Sequence, residues 1–164
     1  GGLQPHVLTM TKDNLPGPSD WDDFAAIETV KMVGCPNGLF DEDHALPLVR
    51  QGITASQLSV LYQGRPEFVV DMACFPGSSG SPIFVLDEFG RIDKKTGSMM
   101  LGSNRFLLVG VLHAGPLINS DGTVSFGRTA SFSVSSMMHL GYAVRSTELL
   151  ALDAMVIKSN EPRS

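Results

Sequence analysis

Short apolar segments separated by turn residues are the feature that most restricts the fold of this chain. Segments rich in Val, Leu, Ile and Phe recur at short spacing, with glycines and prolines between them. The predicted strands cover residues 29–34, 48–55, 67–73, 82–86, 106–112 and 140–144. Segments of this length and composition are typical of β-strands. Many short strands joined by turns predict an all-β barrel or sandwich.

The rest of the chain predicts connecting segments and one helix. Residues 1–28 begin with a polar, proline-containing stretch, which indicates an extended arm or linker. Residues 87–103 are polar and contain glycine, which indicates a long hairpin loop. Ser146 can cap a C-terminal helix with an apolar face. We therefore expect one barrel domain over residues 29–157 and a tail over residues 158–164.

Length, charge and composition exclude several classes of protein. The chain has 164 residues, 43% apolar and 18% charged, which is typical of one globular domain. It has no apolar run of about 18 residues and no secretory signal, so no membrane partner is expected. The net charge of −5 without a basic stripe disfavours nucleic acid. Two cysteines favour a cytoplasmic location, and no metal or other cofactor is expected because no ligand spacing repeats.

The block GSSGSP at residues 77–82 carries the clearest chemical signal. A serine nucleophile needs an exposed hydroxyl and backbone N–H groups that converge where negative charge develops on the substrate carbonyl. Gly77, two residues before Ser79, lets the backbone turn so that its N–H points into such a site. Gly80, just after the serine, leaves room for a substrate. Ser79 is therefore a candidate nucleophile.

Two well-known motifs with glycine and serine do not fit this block. A nucleophile elbow requires Gly-x-Ser-x-Gly, but Ser81 stands at the fifth position and no βαβ pattern surrounds it. A phosphate-binding loop requires Gly-Lys-Ser/Thr, and the block contains no lysine. A plain glycine- and serine-rich turn between two strands stays open on these residues alone.

The block and its flanks resemble the chymotrypsin-like serine peptidases, in particular their intracellular and bacterial branch. That branch combines a G-x-S-G-S-P block, an apolar strand, and a second strand reading roughly G-V/I-x-H-x-G. The matching segments are residues 77–82, 83–86 and 109–115, and residues 32–38 resemble the strand that opens the second barrel. The resemblance covers about residues 29–157. It implies the second six-stranded β-barrel of a chymotrypsin-like fold and a serine endopeptidase that acts through an acyl-enzyme.

The resemblance also implies residue roles. Ser79 is the nucleophile, and its own N–H and that of Gly77 form the oxyanion hole. The strand residues that bind the substrate backbone and wall the primary specificity pocket are Leu112, His113 and Ala114. Ala73 forms the base of that pocket, which argues against a preference for Arg or Lys. His113 is either an ordinary strand histidine or a pocket residue that hydrogen-bonds a substrate Glu or Gln, as in glutamyl endopeptidases and picornavirus-type cysteine peptidases.

The chain lacks a credible base for the serine. In this family the catalytic residues follow the order His, Asp, Ser, and the histidine and aspartate belong to the first barrel. Only His6 and His44 precede Ser79, one in the proline-containing arm and the other in an acidic loop. Asp22 and Asp23 lie too close to the barrel to serve as the acid. None of these four residues fits the role.

Chain length leads to the same conclusion. A two-barrel peptidase needs roughly 200–250 residues, so we expect the first barrel to be absent from this chain. The expected partners are that first barrel and a peptide or protein substrate. The chain is then the nucleophile-bearing half of a serine endopeptidase and is inactive alone. The alternatives are a non-catalytic peptide-binding module and a structural β-domain with an accidental glycine- and serine-rich turn.

Overall fold

Six strands of the chain form a closed antiparallel barrel. The computed structural model describes residues 9–87, 90–92, 96–101, 105–125 and 129–159. The barrel strands are β1 (Thr29–Gly34), β2 (Leu48–Thr54), β3 (Glu67–Asp71), β4 (Pro82–Asp87), β7 (Arg105–Ala114) and β10 (Leu140–Arg145). They are hydrogen-bonded in the order β1-β2-β3-β10-β7-β4, and β4 pairs with β1 to close the barrel. The prediction of an all-β barrel is confirmed.

The remaining strands form two hairpins outside the barrel. They are β5 (Gly90–Ile92) with β6 (Met99–Leu101), and β8 (Leu117–Ser125) with β9 (Thr129–Met137). The first hairpin lies in the segment predicted as a long hairpin loop. The second hairpin was missed, because serines, Asn119, Asp121 and Gly122 interrupt β8 and β9 and leave no continuous apolar segment.

The interior of the barrel is apolar and follows the two-residue period of the strands. On β10, Gly141, Ala143 and Arg145 are buried, while the residues between them are partly exposed. Phe68 on β3 and Met32 on β1 are completely buried in the core. Burying a side chain of this size stabilises the fold by about 1.5–3 kcal/mol. The barrel wall thus provides a rigid frame for the loops at its ends.

The N-terminal segment packs on the barrel and contains a helix, α1 (Pro18–Asp23). The Gly17 N–H donates to Asp20 Oδ2 at 2.7 Å, and proline stands at the start of the helix, where its missing N–H costs nothing. Trp21 is 7% exposed and Phe24 is fully buried, and both belong to the core cluster. The prediction of a single helix at the C-terminus was therefore wrong. A six-residue helix is too short to show a helical period in the sequence.

The predicted C-terminal helix is confirmed as α2 (Thr147–Ser159). It begins directly after Ser146, the predicted cap, and it crosses the expected boundary between barrel domain and tail at residue 158. Within the described residues, no helix combines the length and the apolar character needed to cross a membrane.

Candidate active site

The glycine- and serine-rich block lies in the loop between β3 and β4. Gly77 and Gly80 both have positive φ, +81° and +87°, a conformation that glycine adopts without strain. A Cβ on Gly77 would lie 3.0 Å from the backbone nitrogen of Asn37, whereas a Cβ on Gly80 would meet nothing within 4 Å. The Asn37 N–H donates to the carbonyl of Pro76 at 2.8 Å, which fixes the loop against the turn after β1.

The backbone N–H groups of this loop divide into two sets. The engaged N–H groups are those of Ser78, Gly80 and Ser81, which donate to the carbonyls of Phe75 at 3.0 Å, Leu112 at 2.7 Å and Ser78 at 3.1 Å. The N–H groups of Gly77 and Ser79 donate no hydrogen bond to any residue that the structure describes. Both residues line a hollow of about 320 Å³. Two free donors beside one hydroxyl form an arrangement that can stabilise a developing oxyanion.

The Ser79 side chain is exposed at this hollow. Its hydroxyl donates to the backbone carbonyl of His113 at 3.2 Å. Among the described residues, no imidazole or carboxylate is hydrogen-bonded to Ser79. His44 is exposed and its Nδ1 lies 3.0 Å from Asp41 Oδ2 in the loop after β1, and His6 lies outside the described residues. Ser79 and the two free N–H groups thus belong to the same hollow, and within the described parts of the chain no base is hydrogen-bonded to the hydroxyl.

The side chain of His113 lies on the outer face of the barrel. Its Nε2 is 3.4 Å from Glu67 Oε1, and its ring centre is 6.5 Å from that of Tyr142. In the pairing of β7 with β10, Leu112 faces Ala143 and Ala114 faces Tyr142, which leaves His113 as the extra residue of a bulge. A bulge redirects the side chain of its extra residue. The role of this imidazole in a specificity pocket stays a prediction.

The other residues expected at the pocket are packed into the barrel or lie at its rim. Leu112 is 3% exposed and Cys74, directly after Ala73, is fully buried, so apolar side chains occupy the interior at this end. The carbonyl of Ala73 accepts a hydrogen bond from Arg50 Nη1 at 2.6 Å. Ala114 is exposed at the end of β7. Leu112 therefore belongs to the barrel interior, and Ala114 lies at the barrel rim.

Arg50 is the site residue that sequence reasoning missed. Its Nη1 donates to the Ala73 carbonyl and, at 2.9 Å, to Ser78 Oγ. Burial disfavours a charged group, and desolvation lowers the pKa of Arg50 from its ordinary value. The sequence carries no signal for this position, because the apolar residues Val49 and Ile53 of β2 are exposed while Arg50 between them is partly buried.

Comparisons with protein-family models, with curated proteins and with solved structures found no match. No group of three or more His, Cys, Asp or Glu side chains that could hold a metal ion occurs among the described residues.

The thiol of Cys74 gives a prediction for the pH dependence of stability. Burial raises the pKa of Cys74, with Arg50 acting in the opposite direction. Below the unfolded value of about 8.5 the thiol is protonated in both states and contributes nothing. Above it, the unfolded chain loses the proton first, so the free energy of unfolding falls as pH rises. We expect Cys74→Val to weaken this fall in urea titrations run from about pH 8 upward. The exposed Cys35, replaced by valine, serves as the control. Equal slopes in wild type and Cys74→Val would contradict the prediction.

Proposed function

We propose that this barrel is the nucleophile-bearing half of a trypsin-like serine endopeptidase, with Ser79 as the nucleophile. The observation that carries the proposal is the pair of free N–H groups, on Gly77 and Ser79, beside an exposed serine hydroxyl. The two residues with free N–H groups, Gly77 and Ser79, are separated by one residue and line the same hollow as the Ser79 hydroxyl.

The proposed reaction is acyl transfer from a peptide bond. Ser79 Oγ forms a bond to the carbonyl carbon, and the electron pair of the C=O bond moves to the oxygen, which accepts from the N–H groups of Gly77 and Ser79. The serine proton passes to a base and from there to the leaving amine as the C–N bond breaks. Water then attacks the acyl-enzyme by the same route and releases the acid, which restores the serine.

The base is proposed to come from a companion barrel. An apolar groove of about 370 Å³ adjoins the hollow at Ser79, and Val33 and Pro82 line both. The other groove residues are Met10, Lys31, Val49, Phe84, Leu86 and Phe106. A companion barrel packed on this groove would lie beside the serine, where a histidine and an aspartate could reach it. The apolar lining supports such packing, because exposed apolar surface is stabilised by burial against a partner.

A fluorophosphonate probe tests the nucleophile and the need for a companion. We expect the protein expressed with its upstream coding sequence to be labelled at Ser79, and the present chain to be labelled weakly or not at all. Ser79→Ala should abolish labelling. Ser81→Ala, in the same block but 4% exposed, should retain it. Equal labelling of the long and short proteins would contradict the companion barrel, and labelling of neither would contradict the nucleophile.

A non-catalytic peptide-binding module is the second candidate. It is favoured by the Ser79 hydroxyl, which donates to the His113 carbonyl at 3.2 Å instead of to a base. Peptide binding to the rim around Ser79, without labelling of the longer protein, would support this candidate over the peptidase.

A further inference from the structure

We propose that Arg50 is a positioning residue that holds the N–H groups of Gly77 and Ser79 in their oxyanion-binding orientation. This inference rests on the proposed function of Ser79 and adds to it a residue from another strand. Arg50 lies on β2, and it reaches the loop between β3 and β4 through two hydrogen bonds from one nitrogen.

These two hydrogen bonds tie the beginning of the loop to its centre. Nη1 of Arg50 donates to the carbonyl of Ala73 at 2.6 Å and to Ser78 Oγ at 2.9 Å. Ser78 is fully buried, and its own N–H donates to the carbonyl of Phe75 at 3.0 Å. Gly77 and Ser79, the residues on either side of Ser78, carry the two free N–H groups and line the hollow. Arg50 thus determines the position of a residue that lies between the two free donors.

The space around Arg50 allows its guanidinium to contact the loop between β3 and β4. Arg50 stands opposite Met32 in the β1–β2 ladder, on the inward face of the barrel wall. A Cβ on Gly34 would lie 2.0 Å from Ser81 Oγ and 3.6 Å from Arg50 Nη2. A larger residue at position 34 would therefore collide with the loop and crowd the guanidinium. The glycine keeps open the space in which the guanidinium and the loop meet.

The charge of Arg50 is poorly compensated, which argues against a purely stabilising role. Its Nε and Nη2 are buried and have no hydrogen-bond partner among the described residues. No carboxylate of the described chain forms an ion pair with it. Removing a guanidinium from water without a counter-charge costs free energy, and an apolar side chain of similar volume often stabilises a fold more. The geometry therefore assigns to Arg50 a role in positioning the loop, and this role offsets the cost in free energy.

Binding of phenylboronic acid measures the orientation of the oxyanion donors. Ser79 Oγ forms a bond to boron and releases its proton to the buffer. The trigonal boron then becomes a tetrahedral anion whose oxygen accepts from the N–H groups of Gly77 and Ser79. The dissociation constant is followed by ¹¹B NMR, and the amide shifts of Gly77 and Ser79 are recorded in the same samples.

We expect Arg50→Met to bind phenylboronic acid about tenfold more weakly than wild type. The reason is that displaced N–H groups of Gly77 and Ser79 no longer donate well to the boronate oxygen. Arg50→Lys keeps a cationic donor and should recover part of the affinity. Ser78→Ala removes the acceptor on the loop and should reproduce the loss, which keeps the proposal testable if Arg50→Met fails to fold. Arg65→Met is the matched control, since Arg65 is exposed and pairs with Glu67.

The outcomes separate this inference from the proposed function. Wild-type affinity in folded Arg50→Met and Ser78→Ala, with unchanged amide shifts of Gly77 and Ser79, would overturn the role of Arg50 and leave Ser79 as nucleophile. Boronate that binds wild type and Ser79→Ala equally would overturn the proposed function. The amide shifts would then still report whether Arg50 orders the loop.

Discussion

Gly77→Ala is expected to weaken the binding of phenylboronic acid to Ser79 by about 100-fold, the effect of losing one oxyanion donor. The φ of +81° is costly for any residue with a Cβ, and here the Cβ would also lie 3.0 Å from the Asn37 nitrogen. The backbone must rotate to relieve the strained φ and the close contact with Asn37. This rotation moves the N–H of Gly77 away from the hollow. The same change should slow labelling of the longer protein by a fluorophosphonate.

Gly80→Ala is the matched control for this prediction. Gly80 has a similar φ of +87°, but a Cβ there would meet nothing within 4 Å. Its N–H donates to Leu112 and is not one of the two free donors. Both variants should lose about 1–2 kcal/mol of stability from backbone strain, and only Gly77→Ala should lose boronate affinity. Equal losses of affinity in both variants would show that strain in the loop, and not the Gly77 donor, controls binding.

Phe24→Ala is expected to lower the free energy of unfolding by about 3–5 kcal/mol, the usual cost of truncating a buried Phe. Phe24 is fully buried, and its ring packs edge-on against Trp21 at 5.6 Å between centres. The guanidinium of Arg105 lies 5.0 Å from the centre of the same ring. The variant therefore tests whether the segment before β1 is an integral part of the barrel or a linker.

Ile27→Ala is the control for Phe24→Ala. Ile27 lies three residues further along the same segment and is 64% exposed, so its truncation should change stability by less than about 0.5 kcal/mol. Urea unfolding followed by tryptophan fluorescence measures both variants, since Trp21 reports directly on this region. A loss below about 1 kcal/mol in Phe24→Ala would mean that the segment contributes little to the fold and behaves as the extended arm predicted from its composition.

The barrel strands and the shape of the Ser79 loop could be predicted because they depend on short-range sequence. The apolar segments over β4 and β7 are continuous, and a turn that needs positive φ is marked by glycine. Gly77 and Gly80 therefore identify the backbone shape around Ser79 before any fold is known. The chemical role given to that loop remains a proposal, which the boronate and fluorophosphonate experiments test.

The positions of Arg50, His113 and Phe24 were decided by tertiary structure alone. A shift of one residue in strand register exchanges the two faces of a strand. The bulge between β7 and β10 makes such a local shift and leaves His113 on the outer face beside Glu67. Arg50 reaches Ser78 across 28 residues of sequence, and Arg105 reaches Phe24 from β7. The sequence by itself determined which segments become strands and where the backbone turns at Ser79. The closing of the barrel decided which side chains meet there, because those contacts join residues far apart in the chain.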